Sequence, residues 1–403
     1  MKYSEIEWIG EIPDKWKLNK IGQLFNLRNE KVSDKDYSPL SVSKSGIVPQ
    51  LENVAKSDAS DDRKLVLKGD FAINSRSDRK MSCGVSPLDG SVSLINTILY
   101  PKNDNVIFND YMNYLLKNYG FAEEFYRWGH GIVADLWTTK WQEMKSIMLP
   151  LPSVQKQKAI YDFLNQKTVK IDSLIEIENQ QIEKIKEYKQ AVIDNTISKV
   201  EDETRIKFVC SLNGRIGFRG YKQEDLVADG EGAITISPSN MQNLKMNYDK
   251  CHYLSWFKYE ESPEIQLQNG DILFVKTGST YGKSALVDNL PMEATINPQL
   301  LIFKDININN KYFLYALQTN DVKDQVEGFV IGGTIPTISQ DKISKIRIKI
   351  CDKEEQTRIV NYLDEQCDDI DKLIEIKQQK IEQLGEYKKS LIYEYVTGKK
   401  EVC

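Results

Sequence analysis

The chain has 403 residues, 40% of them hydrophobic and 28% charged, which is enough for two or three domains with real cores and excludes a disordered polyelectrolyte. Its formal charge of −5, from 54 basic and 59 acidic side chains, provides no global field for nucleic acid, so any such binding must come from local basic patches. Cys83, Cys210, Cys251, Cys351, Cys367 and Cys403 form no CxxC pair and only His130 and His252 could join them, so no zinc set is recognisable; no signal peptide and no apolar run of ~18 residues is seen, and a cytoplasmic protein with reduced thiols is expected.

Residues 1–150 read as a mixed domain. Trp8-Ile9-Gly10-Glu11-Ile12-Pro13 and Trp16 suggest an anchored N-terminal segment. Strand-like runs follow at Tyr37 to Val42, Leu65 to Leu67, Phe71 to Asn74 and Ser91 to Tyr100, with a helix expected from Asn109 to Asn118. After Leu149-Pro150-Leu151-Pro152, Ser153 is placed to cap a long helix over 151–200. Residues 201–350 repeat the plan loosely: Leu67-Lys68-Gly69-Asp70-Phe71 matches Gln268-Asn269-Gly270-Asp271-Ile272, a helix is expected from Asn310 to Thr319, and a closing strand Ile343 to Ile350 matches Met144 to Leu151. Asp352 with Glu355 then forms a capping-box pattern for a second long helix over 351–403.

The two helical stretches are near copies at a constant offset of 199 residues: Ile171-Asp172, Leu174 to Ile177, Ile182-Glu183 and Glu187 to Lys189 recur from Ile370 onward without a gap. Three-four spacing gives each one apolar face, with Ile171, Leu174, Ile182 and Ile185 on the first and Ile370, Leu373, Ile381 and Leu384 on the second. The least costly way to bury both faces is against each other, as a coiled-coil-like rod; the competing arrangement packs each on its own globule. Glu178 and its counterpart Lys377 carry opposite charges where they can set register, or else lie solvated at the surface. Closely matched helices joined to divergent globules suggest a frame holding two readers of different things.

Signals for catalysis are poor. Gly278-Ser279-Thr280-Tyr281-Gly282-Lys283-Ser284 resembles a phosphate-binding loop, but Thr277 stands where the first Gly belongs, and the stretch lies between two apparent strands instead of opening a helix. Nucleic-acid binding is better supported. Arg76, Arg79 and Lys80 sit among short polar residues in one loop, and Ser43 with Lys44 forms a second. In the second globule Ser237, Ser239, Asn240 and Gln242 parallel that second loop, and Arg215, Arg219, Tyr221 and Lys222 form a basic-aromatic cluster, joined by Lys276, Thr277, Ser279, Tyr281 and Lys283. Any one cluster has an alternative as a solvated loop; their comparable placement in both globules favours a shared surface.

Trp8 to Pro13 with Trp16, the junction Leu149 to Ser153 followed by Gln155, Gln157 and Ile171-Asp172, and a second junction through Ile350, Glu354, Gln356 and Ile370-Asp371, taken in this order, resemble the specificity (S) subunit of type I restriction-modification systems. The resemblance covers essentially the whole chain; one departure is Ile350-Cys351-Asp352, which lacks the prolines of the first junction. It implies an α+β architecture with target recognition domains at 1–150 and 201–350 and conserved spacer helices at 151–200 and 351–403 that pair as an antiparallel coiled coil. It further implies that each domain reads half of a bipartite double-stranded DNA site. Two methyltransferase subunits, which bring S-adenosylmethionine, and two motor-nuclease subunits would be its partners. On that reading the chain has no active site, metal or cofactor of its own. The rivals are a non-catalytic protein-interaction scaffold and an enzyme using the Gly278 loop.

Overall fold

Asp70 and Asp271 each follow a glycine of positive φ, +92° at Gly69 and +99° at Gly270, a backbone conformation that costs glycine little. Each aspartate accepts the backbone N–H three residues earlier, Leu67 at 2.8 Å and Gln268 at 2.9 Å. A cation lies against each carboxylate: Arg28 Nε is 2.6 Å from Asp70, and Lys304 Nζ is 3.0 Å from Asp271. The same turn is thus built twice, and each copy leads into a buried strand, Phe71–Asn74 or Ile272–Val275. The computed structural model describes residues 1–50, 62–131, 137–332 and 335–402. Its two compact units, Met1–Asn179 with Gln378–Cys403 and Gln180–Lys377, contain one turn each.

In the first unit Phe71–Asn74 lies between Cys83–Val85 and Asn96–Pro101, and Phe25–Arg28 completes an antiparallel sheet in which Thr97 faces Ile73 and Leu99 faces Leu27. Phe25, Phe71 and Leu99 pack with Tyr111, Leu115, Phe121 and Phe125 in one core. The expected strands at 37–42 and 65–67 are observed as Leu40–Ser43 and Arg63–Val66. The run Ser91 to Tyr100 is two strands, Gly90–Val92 and Asn96–Pro101, because Asn96 N–H bonds Ser93 O at 3.0 Å and turns the chain through exposed Leu94 and Ile95. The helix expected from Asn109 to Asn118 is a 3-10 turn, Asn109–Tyr111, and a short helix, Met112–Leu115. Asn118 instead caps the next helix, Tyr119–Arg127, by accepting from Phe121 N at 2.9 Å.

The second unit has a six-stranded sheet in which Ile272–Val275 pairs with Ser284–Leu286 and Leu300–Lys304, and a four-stranded sheet of Leu226–Val227, His252–Ser255, Gly232–Ile236 and Ala294–Ile296. Helices Asn310–Ala316 and Asn320–Phe329 follow, capped by Asn309 and Thr319. The two predicted closing strands both begin as helical turns, Trp141–Met144 and Gln340–Lys345, and become extended only at Met148–Leu151 and Arg347–Lys349.

The long helices are Val154–Ile197 and Lys353–Val396. Ser153 Oγ accepts from Lys156 N at 3.4 Å, and Asp352 accepts from Glu355 N at 2.8 Å, so both predicted caps are present. A buried glutamine one turn in ties each helix to a globule: Gln157 accepts from Phe108 N and donates to Val106 O, while Gln356 accepts from Asn309 N and donates to Cys351 O.

The helices pair antiparallel. In the first unit Asp172 meets Lys388 at 2.6 Å and Glu178 meets Lys380, and in the second Gln181 meets Lys377 and Lys189 meets Asp371 at 2.7 Å, so within each unit the partner number falls as the residue number rises. The bridges of Asp172 with Lys388 and of Lys189 with Asp371 are the same bridge under the 199-residue repeat. Glu178 is buried and bonds Lys380 at 2.6 Å; the equivalent contact in the second unit joins Lys377 to Gln181. The charges at 178 and 377 therefore belong to the seam. Ile171, Ile182 and Ile370 are buried, and Ile185, Ile381 and Leu384 are half-buried. Leu174 and Leu373, placed on the seam by spacing, are 45% and 44% exposed. The seam advances through Ile171, Ile175, Glu178 and Ile182, which leaves Leu174 on the flank. No helix among the described residues is long and apolar enough to cross a membrane.

Candidate nucleic-acid interface

The first unit's cationic loop leaves the strand Phe71–Asn74 at Ser75, whose buried hydroxyl shares a hydrogen bond with Thr97 Oγ1 at 3.0 Å. Arg76 begins a short 3-10 turn, Ser77–Arg79. Tyr126 OH donates to Asn74 O at 3.2 Å and to Arg79 O at 3.3 Å, fixing the loop from below. A second loop is bridged to it: Thr138 pairs with both Arg76 and His130, and Ser77 N–H bonds Trp137 O at 2.8 Å. This brings Trp128 and Trp137, each 38% exposed, beside the cations. Asp78 binds Arg76 at 3.1 Å and Arg79 at 3.6 Å, and Glu123 binds Lys80, whose ammonium lies 5.8 Å from the Tyr119 ring. Ser43 closes the turn of the hairpin Leu40–Ser43 and Gly46–Pro49 by donating to Gly46 O at 3.0 Å, which leaves Lys44 exposed at its tip.

The second unit has the same pair of loops. The strands Ile272–Val275 and Ser284–Leu286 are antiparallel, so Gly278 to Lys283 is the turn of a hairpin, and Gly278 N–H is engaged by Pro336 O at 3.0 Å. A phosphate-binding loop requires a strand passing into a helix N-terminus, which this geometry lacks. Thr337 pairs with both Thr277 and Ile331, repeating the pairing of Thr138 with Arg76 and His130. Ile331 and Ile335 are exposed on this loop, Ile331 taking the pairing position of His130 and Pro336 that of Trp137. Ser279 is exposed, Tyr281 OH donates to the Glu327 carboxylate, and Lys283 Nζ reaches Pro238 O at 3.5 Å. Lys276 is half-buried at the root of the turn, and burial pulls its pKa down.

Three residues of the second globule's expected polar loop and basic-aromatic cluster are built into the fold. Arg215 is buried and donates to Ile296 O at 3.2 Å, Arg219 O at 3.3 Å and Thr295 Oγ1 at 3.1 Å, with its guanidinium 5.2 Å from the Tyr221 ring. Burial depresses its pKa, the expected direction for a cation taken out of water. Asn240 is also buried, donating to Asn247 O at 3.2 Å and Lys250 O at 3.1 Å and accepting from Ser237 N at 3.0 Å. Of the residues expected to bind DNA, Arg215 and Asn240 thus hold loops from inside, and the Tyr221 ring lies against Arg215. Arg219 remains partly exposed, 3.3 Å from Glu264.

Sequence spacing did not reveal the second loop of each unit, with Trp128, His130 and Trp137 or Ile331, Ile335 and Thr337. The available signal was Thr138 and Thr337 at the repeat offset of 199.

Residues 221–386 match the family pattern described as the type I restriction modification DNA specificity domain. The chain is 24% identical over 276 residues to the type I restriction enzyme MjaVIII specificity subunit of Methanocaldococcus jannaschii, a match covering 63% of this chain and 62% of that protein. It is 21% identical to a putative MjaX specificity subunit of the same organism, across 97% of this chain and 95% of that one. A solved structure described as the basis of complex assembly and conformational transition of the type I R-M system aligns over 96% of this chain and 98% of that chain, with a TM-score of 0.69 at 14% identity, a likeness of fold. With the duplicated turn, duplicated loops and paired repeat helices, these matches make the chain similar to the specificity subunits of type I restriction-modification systems.

Proposed function

We propose that this chain gives a type I restriction-modification complex its DNA sequence specificity. Each globule, 1–150 and 201–350, acts as a target recognition domain for one half of a bipartite, asymmetric double-stranded site. The helices at 151–200 and 351–403 set the spacing of the half-sites. The observation that carries this reading is the pair of bridged loops found at equivalent places in both units but lined differently: Arg76, Arg79, Trp128 and Trp137 in one, Lys276, Ser279, Ile331 and Ile335 in the other. Same frame with different lining is what two readers of different sequences require.

The helices support docking of two copies of one partner. Leu174, Ile177 and Tyr387 are exposed in the first unit, and their repeat counterparts Leu373, Ile376 and Tyr188 are exposed in the second. The internal fold places little constraint on an exposed side chain, so identity at these positions is explained by a common surface met twice. Those partners are two methyltransferase subunits, which carry S-adenosylmethionine and methylate adenine; two motor-nuclease subunits complete the restriction form. The chain contributes recognition without catalysis or cofactor, in the cytoplasm.

Methylome sequencing of cells expressing the chain with its methyltransferase subunit, against cells lacking the chain, tests this reading. Adenine methylation at a split motif that requires the chain is the expected result; a soluble complex with no new methylation refutes it. A protein scaffold is the second reading, favoured by the internal pairing of Arg76, Arg79, Lys80 and Arg219 with acids. Steep salt dependence of duplex binding by the assembled complex separates the two, since phosphate contacts release counterions.

A further inference from the structure

We propose that Lys276 is the base-reading cation of the second globule, and that the acceptor it awaits is the O6 and N7 edge of a guanine in the major groove. The inference rests on the DNA-recognition reading above and assigns one residue within it. Lys276 is fixed at its backbone on both sides: its N–H bonds Gln299 O at 2.9 Å, and its carbonyl accepts from Ile338 N at 2.9 Å. Its ammonium lies against Gly214, where an added Cβ would come within 3.2 Å of Nζ. The side chain is half-buried, yet among the described residues no acceptor and no carboxylate partners it. The other loop cations differ. Arg76 and Arg79 share Asp78, Lys80 has Glu123, Arg219 has Glu264, Arg215 has three internal acceptors, and Lys44 stands in water at a hairpin tip.

A desolvated ammonium without an acceptor raises the free energy of the folded chain, and an incoming acceptor relieves that penalty. A phosphate contact needs only an exposed, flexible cation such as Arg79. A cation held at its root and partly out of water can instead discriminate position, and guanine offers an ammonium two adjacent acceptors in the major groove.

The test uses the full chain co-expressed with its methyltransferase subunits, comparing wild type with Lys276→Met, which keeps an unbranched side chain one atom shorter and removes the charge. Two readouts are taken: the methylated motif, and the Tm of the purified chain. The expected result is that Lys276→Met loses about tenfold or more of its preference at one guanine of one half-site. The other half-site should be unchanged, and Tm should equal or exceed that of wild type, because an unpaired ammonium has been removed. An unchanged motif, uniformly weaker methylation of the same motif, or relaxation at a base other than guanine each overturns the assignment, as does a lowered Tm. Each of these outcomes leaves the DNA-recognition reading standing, whereas a wild-type chain that directs no split motif refutes that reading itself.

Discussion

Arg215 and Arg79 are both arginines of candidate recognition loops, and their surroundings assign them different work. Arg215 is buried with three acceptors, so Arg215→Ala removes charge-assisted hydrogen bonds and leaves Thr295 Oγ1 and two carbonyls short of a donor. A loss of ~2–4 kcal/mol in urea unfolding is expected. Arg79 has a side chain 67% exposed, with Asp78 only at 3.6 Å. Its replacement by Ala should leave stability within about 0.5 kcal/mol, weaken duplex binding similarly across sequences, and reduce the slope of log K against log salt by about 1. A titration at several salt concentrations separates that result from loss of sequence preference. The two arginines look alike in the sequence because composition and local polarity are alike around them. What distinguishes them is the closure of Thr295 and Ile296 over Arg215, a contact 80 residues away along the chain.

The long helices were legible as elements, and the reason is their three-four apolar spacing together with the gapless repeat. Which side chains face the seam was less legible, since Leu174 and Ile175 both satisfy that spacing from Ile171 and only the partner helix selects between them. The strand predicted at Ser91 to Tyr100 failed for a related reason: Leu94 and Ile95 are apolar but lie in a turn, which periodicity alone does not detect. Buried Glu178 with Lys380 makes a prediction at this scale. Lys380→Ala deprives a buried carboxylate of an ion-pair partner and should cost more, ~1–3 kcal/mol, than Glu178→Leu, which removes the carboxylate and adds apolar contact at the seam. Thermal unfolding of the two variants checks the order. The exposed flank makes another. If two methyltransferase subunits dock on these flanks as proposed, Leu174→Glu should leave Tm unchanged while reducing the methyltransferase content of the purified complex from two copies to one, and Leu174→Glu with Leu373→Glu should abolish docking, as native mass spectrometry would register.

For the whole molecule, the proposed spacing role makes helix length the quantity to vary. An α-helix rises ~1.5 Å per residue, so a heptad adds ~10 Å, close to the length of three DNA base-pair steps. Seven residues, a whole heptad, keep the apolar face in phase, whereas four or three would rotate it and break the seam. The insertion must be made in both helices, after Gln180 and after Gln379, because the two positions are repeat equivalents and an insert in one helix alone would offset pairs such as Lys189 with Asp371. If the helices set the spacing of the half-sites, the doubly extended chain should direct methylation to the same two half-sites with an unread gap about three base pairs longer. Methylome sequencing of the variant reports gap and half-sites together. An unchanged gap refutes the spacing role and leaves base reading intact; a changed half-site would mean that the helices also orient the recognition loops, so that length and reading are one property of the chain.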